Sequence, residues 1–390
     1  MAVSQSVRFH QVMVSFLAKN IILTLTLISA TGSGVEFNLG IIHGIEGSMV
    51  WHNVRYAVDE WNKNNLASPI PITLNVIYPT DSFASVEDRF CDVVQHNLIG
   101  LIVPAVLLTS EEMTFIFSMC NRINLPCLTT SDLLLNDSNI NNFVHSVAPS
   151  SGTVGKAAAK LISSLSWNSF VLVYEKPENL IEVTALLSIY YNEHGTRTSI
   201  RVLQLPLSLD NYDAFLKYTR EQLKQTSIVV HSQNIGIVHE LLIKASRLNM
   251  TEYRYSYLFT HPDLALLEDF LSTDTQNYRC NVSGMRIVQK SPLIKTDLAL
   301  SLDSVYLFGQ ALKDLARRPL LPMPTAILCD ADDLWADGEI LNEAIKKTSV
   351  SGKTTGPVKL SPSGITRDNA TFIGLTRTAG RFREVSLAKK

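Results

Sequence analysis

The 390-residue sequence lacks the motifs by which the common enzyme classes are recognised. It contains no His-Glu-x-x-His zinc motif, no Gly-x-Ser-x-Gly nucleophile motif and no paired Cys-x-x-Cys sites. Gly155-Lys156 and Gly352-Lys353 lack the upstream glycine that a phosphate-binding loop needs, so we interpret both lysines as surface residues. An enzyme would have to assemble its site from distant residues. We therefore expect no catalytic activity, no cofactor and no metal site.

An excess of charge of either sign is also missing. The net charge of −2 gives no reason to expect a nucleic-acid partner. Charged residues make up 18% of the chain and hydrophobic residues 46%, which excludes disorder as the main state. Acidic residues crowd the segment from Asp330 to Glu339, but Leu334 breaks the spacing of a calcium-binding loop. We interpret this segment as a solvated acidic loop.

Long apolar runs are absent after Val35, where nothing approaches the ~20 residues that a membrane-spanning helix needs. Before it, basic residues from Arg8 to Lys19 lead into an apolar run over residues 21–30 and then into small residues. This order predicts a secretory signal peptide over residues 1–34, and the alternative is a membrane-anchoring helix. We expect cleavage between Ala30 and Gly34, and a mature extracellular chain without a transmembrane segment.

Cysteine is scarce and odd in number, with five residues at positions 91, 120, 127, 280 and 329. An odd count leaves at least one cysteine unpaired or intermolecular, and the spacing does not choose the pairs. Cys120 lies on the apolar face of a predicted helix, so its interpretation as a small buried hydrophobic residue is favoured.

The most informative stretch, residues 81–130, alternates helical and strand patterns. A helix is predicted over residues 81–98, where apolar residues recur at helical spacing from Phe83 to Leu98. The apolar run that follows is too short for a helix core. A second helix begins at Thr109 or Ser110, and its inward stripe contains Met113, Ile116, Phe117 and Cys120. A further strand follows over residues 125–130. Short links between these elements predict a parallel sheet with right-handed crossovers.

The same alternation extends in both directions along the chain. Strand and helix patterns precede it from Phe37, and a second series begins near residue 149. Gly195 is predicted to end a helix of this second series. A long helical pattern covers residues 297–318, and three short strands near the C-terminus have the turn residues typical of antiparallel pairing. Two series of this size predict two similar α/β lobes, over residues 35–148 and 149–292.

Several residues in this alternation have counterparts in a known family. They are Arg55, Ala57, Val58, Asn62, Asn64, Asp81, Ser82, Phe83, Cys91, Asp92, Cys120, Asn121, Leu125 and Pro126, then Cys329, Trp335, Gly338, Thr355, Gly356, Gly364, Arg367 and Asp368. In this order and spacing, the chain resembles the amino-terminal domain of ionotropic glutamate receptor subunits, the kainate type most of all.

The resemblance implies a type I periplasmic-binding-protein-like fold, α/β in class. Two lobes, each a mostly parallel sheet flanked by helices, would close like a clamshell over a cleft. The resemblance places residues 293–340 back on lobe 1 and residues 341–390 back on lobe 2. It also implies a disulfide between Cys91 and Cys329. The departures are Leu334, where such receptors usually have proline, and the unexpected Cys127 and Cys280.

The first function hypothesis follows from this resemblance. It is the extracellular amino-terminal domain of a kainate-like receptor subunit, ending at Lys390 without the glutamate-binding and channel domains. It would be secreted or lie at the extracellular face of the postsynaptic membrane. Its partners would be glutamate receptor subunits, through lobe 1 in a homo- or heterodimer, or synaptic extracellular proteins. Phe115 and Met119 point away from the inward stripe and form the candidate association surface, unless they belong to a second buried face.

The alternative is a secreted protein that binds a small, amino-acid-like molecule in the interlobe cleft. Candidate contacts are side-chain hydroxyls at helix starts and strand ends, namely Thr109, Ser110, Ser150, Ser151 and Tyr174. Helix capping is the competing role for these hydroxyls. The resemblance also argues against this alternative, because glutamate does not act at the similar domain of kainate receptors.

Four Asn-x-Ser/Thr sequences predict glycosylation acceptors, at Asn136, Asn249, Asn281 and Asn369. All four lie in polar segments, which suits surface glycans on a secreted protein.

Overall fold

The computed structural model describes most of the chain after the first strand begins. The described residues are 35–42, 49–66, 68, 71–81, 84–105, 108–133, 142–167, 169–195, 199–272, 278–289, 294–318, 320–329, 334–378, 380–385 and 387. The predicted signal peptide and Asn136 lie outside them. The chain forms two compact units. Unit 1 takes the described residues up to Leu128, Asn142–Val144 and Ser304–Thr348, and unit 2 takes the others.

Helices and strands alternate through most of this length. The helices are α1 Met49–Asn65, α2 Val86–Val94, α3 Ser110–Arg122, α4 Ser151–Ser164, α5 Leu180–His194, α6 Tyr212–Glu221, α7 Ile235–Arg247, α8 Glu268–Ser272, α9 Thr296–Ala316 and α10 Gly338–Lys347. The strands are β1 Val35–Ile41, β2 Ile72–Ile77, β3 Leu98–Val103, β4 Cys127–Thr129, β5 Val144–Ser146, β6 Ser169–Tyr174, β7 Ser199–Gln204, β8 Ser227–His231, β9 Ser256–Phe259, β10 Asn281–Arg286, β11 Ser349–Val350, β12 Val358–Lys359, β13 Ile373–Thr378 and β14 Arg381–Val385.

The first sheet has the strand order β2-β1-β3-β4-β5. β1 pairs in parallel with β2 on one side and with β3 on the other. Every residue of β3 is buried, as the short apolar run predicts for a strand covered on both faces. Helix α1 packs beside β2, where the Asn62 side chain donates to the Leu74 carbonyl at 2.8 Å and accepts from its amide at 2.9 Å.

The second sheet belongs to unit 2 and has the order β14-β13-β10-β9-β8-β6-β7. The strands from β10 to β7 pair in parallel, and β13 and β14 add an antiparallel hairpin. Alternate residues of β6 enter different cores: Phe170 and Leu172 pack with α4 and α5, and Val171 and Val173 pack with α6 and α7. Helices therefore cover both faces of this sheet, and the predicted α/β class with mostly parallel sheets is confirmed.

Helix α9 contributes to both units. Within unit 1, Tyr306 donates to Glu60 at 2.8 Å and Lys313 donates to Asn65 at 3.0 Å. Phe308 lies against Gly100 on β3, where an added Cβ would stand 2.3 Å from the ring. A side chain at position 100 of β3 would therefore collide with Phe308, so this packing of α9 requires glycine there.

The limits of the two units differ from the predicted lobe limits. The predicted division placed all of residues 293–340 with lobe 1, but unit 1 begins within α9 at Ser304 and extends to Thr348. Asp303, the residue before that limit, accepts hydrogen bonds from backbone amides near residue 354 of unit 2. Because α9 is continuous, nothing in its sequence pattern marks the limit between the two units at Ser304.

Several element boundaries also differ from prediction. Helix α2 begins at Val86 because Ser85 caps it, so it is shorter than the predicted helix from Asp81. Helix α5 ends at the predicted Gly195, whose φ of 68° lies in the left-handed region. The short helix α8 has no counterpart among the predicted elements.

Candidate functional site

Helices α2 and α3 carry the candidate association surface in unit 1. A complete capping box begins α3: the Thr109 hydroxyl accepts from the Glu112 amide at 3.2 Å, and Glu112 accepts from the Thr109 amide at 2.8 Å. Glu112 also accepts from Arg89 of α2 at 2.6 Å. The hydrogen bonds from Thr109, helped by Arg89, lower the pKa of Glu112. These contacts fix the start of α3 against α2.

Phe115 and Met119 lie one turn apart on α3, and both side chains are half-buried. The Phe115 ring meets the Phe90 ring edge to face, with 6.3 Å between centroids. Ile116 and Cys120 are the fully buried residues of this helix, so its inward stripe is narrower than predicted. Phe115 therefore contributes to packing between the helices and still keeps an accessible edge.

A disulfide joins Cys91 of α2 to Cys329, with 5.5 Å between the two Cα atoms. It is the pair that the family resemblance implied. The two cysteines are 238 residues apart in sequence, and both belong to unit 1. The bond ties α2 to the segment that follows α9.

The segment after this disulfide covers the end of α3. The Trp335 amide donates to the Ile123 carbonyl at 3.0 Å, and its indole donates to the Met323 carbonyl at 3.0 Å. At Gly338 an added Cβ would stand 1.9 Å from the Asn124 carbonyl oxygen. Helix α10 therefore begins in close contact with the turn that follows α3.

The hydroxyls proposed as ligand contacts are mostly engaged in local structure. Thr109 and Ser150 are the N-caps of α3 and α4, which is the competing role considered for them. Ser151 donates its amide to Asp132 at 2.6 Å, and its hydroxyl bonds the same carboxylate. Tyr174 ends β6 with its ring half-buried beside the core under α4 and α5. Ser110 is exposed in unit 1.

A buried polar network in unit 2 was not predicted. Glu182, in the first turn of α5, hydrogen-bonds His231 Nε2 and accepts from Gln233 at 2.8 Å. The other ring nitrogen of His231 lies 2.8 Å from the Thr260 hydroxyl. The side chains of His231 and Glu182 are only 5% and 9% exposed. Strands β6, β8 and β9 end here, at the carboxyl edge of the parallel sheet.

Glu182, His231 and Thr260 are too far apart in sequence to form a recognisable motif, so motif spacing does not reveal this network. A usable signal did exist: polar residues follow the buried strands β8 and β9 directly, as His231-Ser232 and Thr260-His261. Polar side chains in such positions meet at one edge of a parallel sheet.

The charge of Glu182 in this network affects the pKa of Asp132. Burial raises the pKa of the Asp132 carboxyl, hydrogen bonds from Ser151 oppose the rise, and the Glu182 carboxylate adds to it. Among the described residues, no group of three or more His, Cys, Asp or Glu side chains is arranged to hold a metal ion.

The family model for the receptor family ligand binding region matches residues 52–373. The chain belongs to this family. The glutamate receptor ionotropic kainate 4 of Homo sapiens is 22% identical over 333 residues, which is 78% of this chain and 33% of the relative. The same receptor of Rattus norvegicus gives equal values, and human kainate 5 is 23% identical over 331 residues, 79% of this chain and 32% of the relative.

The resemblance to kainate-type subunits is thereby confirmed, and with it the type I periplasmic-binding-like fold. The family is one of receptor ligand-binding regions rather than of enzymes. The chain spans about a third of the length of the curated relatives that it matches. Within the described part of this receptor region, no helix combines the length and the apolar character needed to cross a bilayer.

Three of the predicted glycosylation acceptors are exposed on unit 2 of the receptor region. Asn249 lies in the turn after α7 with a φ of 55°. Asn281 begins β10 and donates to Ser256 at 3.3 Å, and Asn369 accepts from the Lys359 amide at 3.2 Å. The Arg279 amide, two residues before Asn281, donates to the Thr251 carbonyl, two residues after Asn249, at 2.8 Å.

Proposed function

We propose that this chain is an extracellular receptor domain of the kainate type that acts by associating with like domains. The observation that carries the proposal is the match to the receptor ligand-binding region over most of the chain, together with the similarity to two kainate subunits. Those relatives are ionotropic glutamate receptors by name. The partner of this chain would be a second copy or another subunit of that class.

The face of α3 that carries Phe115, Ser118 and Met119 is the proposed contact surface. Phe115 and Met119 offer partly exposed apolar area, and Ser118 between them is exposed. Aromatic and methionine side chains are enriched at the centres of protein interfaces. The capping box at Thr109 and the Arg89–Glu112 pair hold the helix in place, so little conformational freedom is lost on binding.

An extracellular location is supported by the chemistry of the chain as well as by its similarity to kainate receptors. Disulfides such as Cys91–Cys329 persist in oxidising compartments and are rare in the cytosol. Exposed sequons at Asn249, Asn281 and Asn369 suit a chain that passes the glycosylation machinery. We propose that the predicted signal peptide over residues 1–34 directs this export.

Analytical sedimentation of the secreted, glycosylated chain tests the association. We expect a concentration-dependent dimer at micromolar concentration, shifted toward monomer by at least tenfold in Kd for Phe115→Asp. Because Phe115 also packs on Phe90, the exposed Ser118→Arg serves as a second variant that leaves the core untouched. Tyr218→Asp is the matched control, since Tyr218 is an aromatic residue 46% exposed on unit 2.

A wild-type chain that stays monomeric at micromolar concentration would contradict the association proposal. A dimer that neither Phe115→Asp nor Ser118→Arg weakens would contradict the proposed contact surface on α3. Melting curves of each variant separate loss of association from loss of folding.

A further inference from the structure

The turn after β9 in unit 2 contains a buried histidine that bonds on both sides of its ring. His261 is 8% exposed and lies just beyond the end of β9. Its Nδ1 atom accepts a hydrogen bond from the Asp263 amide at 3.0 Å. Its Nε2 atom lies 3.1 Å from the Gln233 carbonyl oxygen, in the segment after β8. The ring therefore joins its own turn to the loop that follows the neighbouring strand.

These two partners fix where the His261 ring carries its hydrogen. A backbone amide can only donate, so Nδ1 has to be the unprotonated, accepting nitrogen. A carbonyl oxygen can only accept, so Nε2 has to carry the hydrogen. The neutral imidazole with its hydrogen on Nε2 meets both conditions. Protonation of Nδ1 would place an N–H group against the Asp263 N–H group and break that bond.

The turn that His261 closes is connected to the start of helix α9. The Asp263 carboxylate accepts from the Thr296 amide at 2.8 Å and from the Thr296 hydroxyl at 2.6 Å. Thr296 is the first residue of α9, and both residues are buried. The Asp263 carbonyl also accepts from the Leu266 amide at 2.9 Å. His261 thus positions, through Asp263, the carboxylate that binds the first amide of α9.

The charged groups around His261 come from its own turn and from the neighbouring strand ends. Burial lowers the pKa of His261 below its ordinary value. The carboxylates of Asp263 and of Glu175, just after β6, act in the opposite direction, and His231 at the end of β8 adds to the lowering. Glu182 of α5 bonds His231. On balance the neutral ring is favoured, in agreement with its two hydrogen bonds.

His231 provides a contrast in the same network. Its Nε2 atom bonds the Glu182 carboxylate, which is an acceptor. Its Nδ1 atom lies 2.8 Å from the Thr260 hydroxyl, which can accept while it donates to the Val230 carbonyl at 3.5 Å. Both ring nitrogens of His231 can carry hydrogens without losing a bond. Of the two histidines, His261 is the one whose protonation breaks a contact.

We propose that His261 is a pH-sensitive latch, whose protonation breaks the bond from the Asp263 amide and loosens the hold of Asp263 on Thr296 at the start of α9. The folded ring resists a proton that the unfolded ring accepts. The latch therefore contributes its full stability above the unfolded pKa of about 6.5. That contribution is lost as the pH falls from there through the lower folded pKa of His261.

Two measurements on the wild-type chain test the latch without relying on a variant that folds. Nitrogen NMR of the histidine-labelled chain should show the His261 ring with its hydrogen on Nε2 at about pH 7.5. Hydrogen exchange, corrected for the intrinsic effect of pH on its rate, reports the turn and the first turn of α9. We expect about tenfold lower protection of residues 263–267 and 296–300 at about pH 5.5 than at about pH 7.5.

His261→Asn separates the titration from the fold. The asparagine Oδ1 can accept from the Asp263 amide in a side-chain turn, as Nδ1 does, and it does not take up a proton. Between about pH 7.5 and about pH 5.5, the melting temperature of the wild type should fall by about 2–4 °C more than that of His261→Asn. His239→Asn is the matched control, because His239 on α7 is 36% exposed and its loss should leave the wild-type trend unchanged.

Equal pH dependence of the melting temperature in the wild type and His261→Asn would overturn the latch. So would a His261 ring that carries its hydrogen on Nδ1 at about pH 7.5. An acid-induced loss of protection that is the same in His261→Asn would assign the effect to another group. If His261→Asn does not fold, the wild-type ring form and the wild-type exchange pattern decide the proposal.

Discussion

Unit 1 and unit 2 use similar sheets but secure their late segments by different chemistry. In unit 1 a covalent bond joins Cys91 to Cys329, beyond the end of α9. In unit 2 buried polar groups around Asp303 and Arg367 hold the segment after α10. A covalent tie is broken by reduction, whereas a buried polar tie is broken by removing one partner. The comparison shows that two segments that return from far along the chain can be held by different kinds of interaction, a disulfide in unit 1 and buried hydrogen bonds in unit 2.

The polar tie of unit 2 is a chain of hydrogen bonds. Asp303 accepts from the Lys353 amide at 2.8 Å and from the Thr355 amide at 3.0 Å, and it also bonds the Thr355 hydroxyl. Arg367 donates to the Thr355 hydroxyl at 2.8 Å and to the Pro357 carbonyl at 2.6 Å. Burial lowers the pKa of Arg367 to about 10, and the Asp303 charge offsets part of that effect.

Breaking the covalent tie should have the largest effect on stability. In the chain-entropy model, removing a bond across 238 residues costs on the order of 5 kcal/mol in the free energy of unfolding. That is a large share of a typical total of about 5–15 kcal/mol. We expect Cys91→Ser to lower secretion sharply and to reduce the urea midpoint of the protein that is recovered.

The double variant Cys91→Ser/Cys329→Ser should do no more harm than either single change, because one bond is lost in each case. A double variant that is clearly less stable than both single variants would contradict a shared bond. A Cys91 peptide linked to Cys120, Cys127 or Cys280 would contradict the pairing directly.

Breaking the polar tie comes next in expected size. Arg367→Met leaves Asp303 buried without its compensating cation and leaves the Pro357 carbonyl without a donor. The expected loss in the free energy of unfolding is about 3–5 kcal/mol. Arg383→Met is the matched control on exposed β14, with an expected change within about 0.5 kcal/mol. Equal urea midpoints for the two variants would show that Arg367 is not a structural tie.

In contrast to the two destabilising changes above, Asp132→Asn in unit 2 should increase stability slightly. The folded pKa of Asp132 lies above its ordinary value, so the fold favours the protonated form. The ionised group therefore destabilises unit 2 at high pH, and that penalty fades as the pH falls through the folded pKa. An asparagine still accepts from Ser151 and removes the repulsion with Glu182.

We expect Asp132→Asn to raise the melting temperature at about pH 7.5, with the difference shrinking toward about pH 4. Differential scanning calorimetry across this range measures it. A gain in melting temperature that grows as the pH falls would contradict a raised pKa of Asp132 in the folded protein. Asp210→Asn is the control, because Asp210 is exposed in unit 2 and should show no such trend.

Short-range features of the fold were predictable from the sequence. The capping residues Thr109 and Ser150 and the terminal Gly195 lie where the pattern placed helix ends. These choices depend on a few neighbouring residues, whose backbone groups are left unpaired at any helix end. The apolar pattern predicts the start of α2 too early, because the pattern continues past the Ser85 cap.

Contacts over longer separations were predictable only where a family resemblance supplied them. The Cys91–Cys329 pair came from that resemblance, whereas spacing left all pairings of the five cysteines open.

By itself the sequence determined the α/β class, the order of helices and strands, and the caps that begin and end them. Periodicity and capping act over one or two turns of chain, so they can be inferred from neighbours. Only the tertiary structure decided that Glu182 meets His231, 49 residues away, and that Asp303 meets Thr355, 52 residues away. Those contacts depend on how crossovers return the chain to one sheet edge or one helix. Long-range geometry, rather than local preference, therefore sets the unit limit inside α9 and the buried polar network of unit 2.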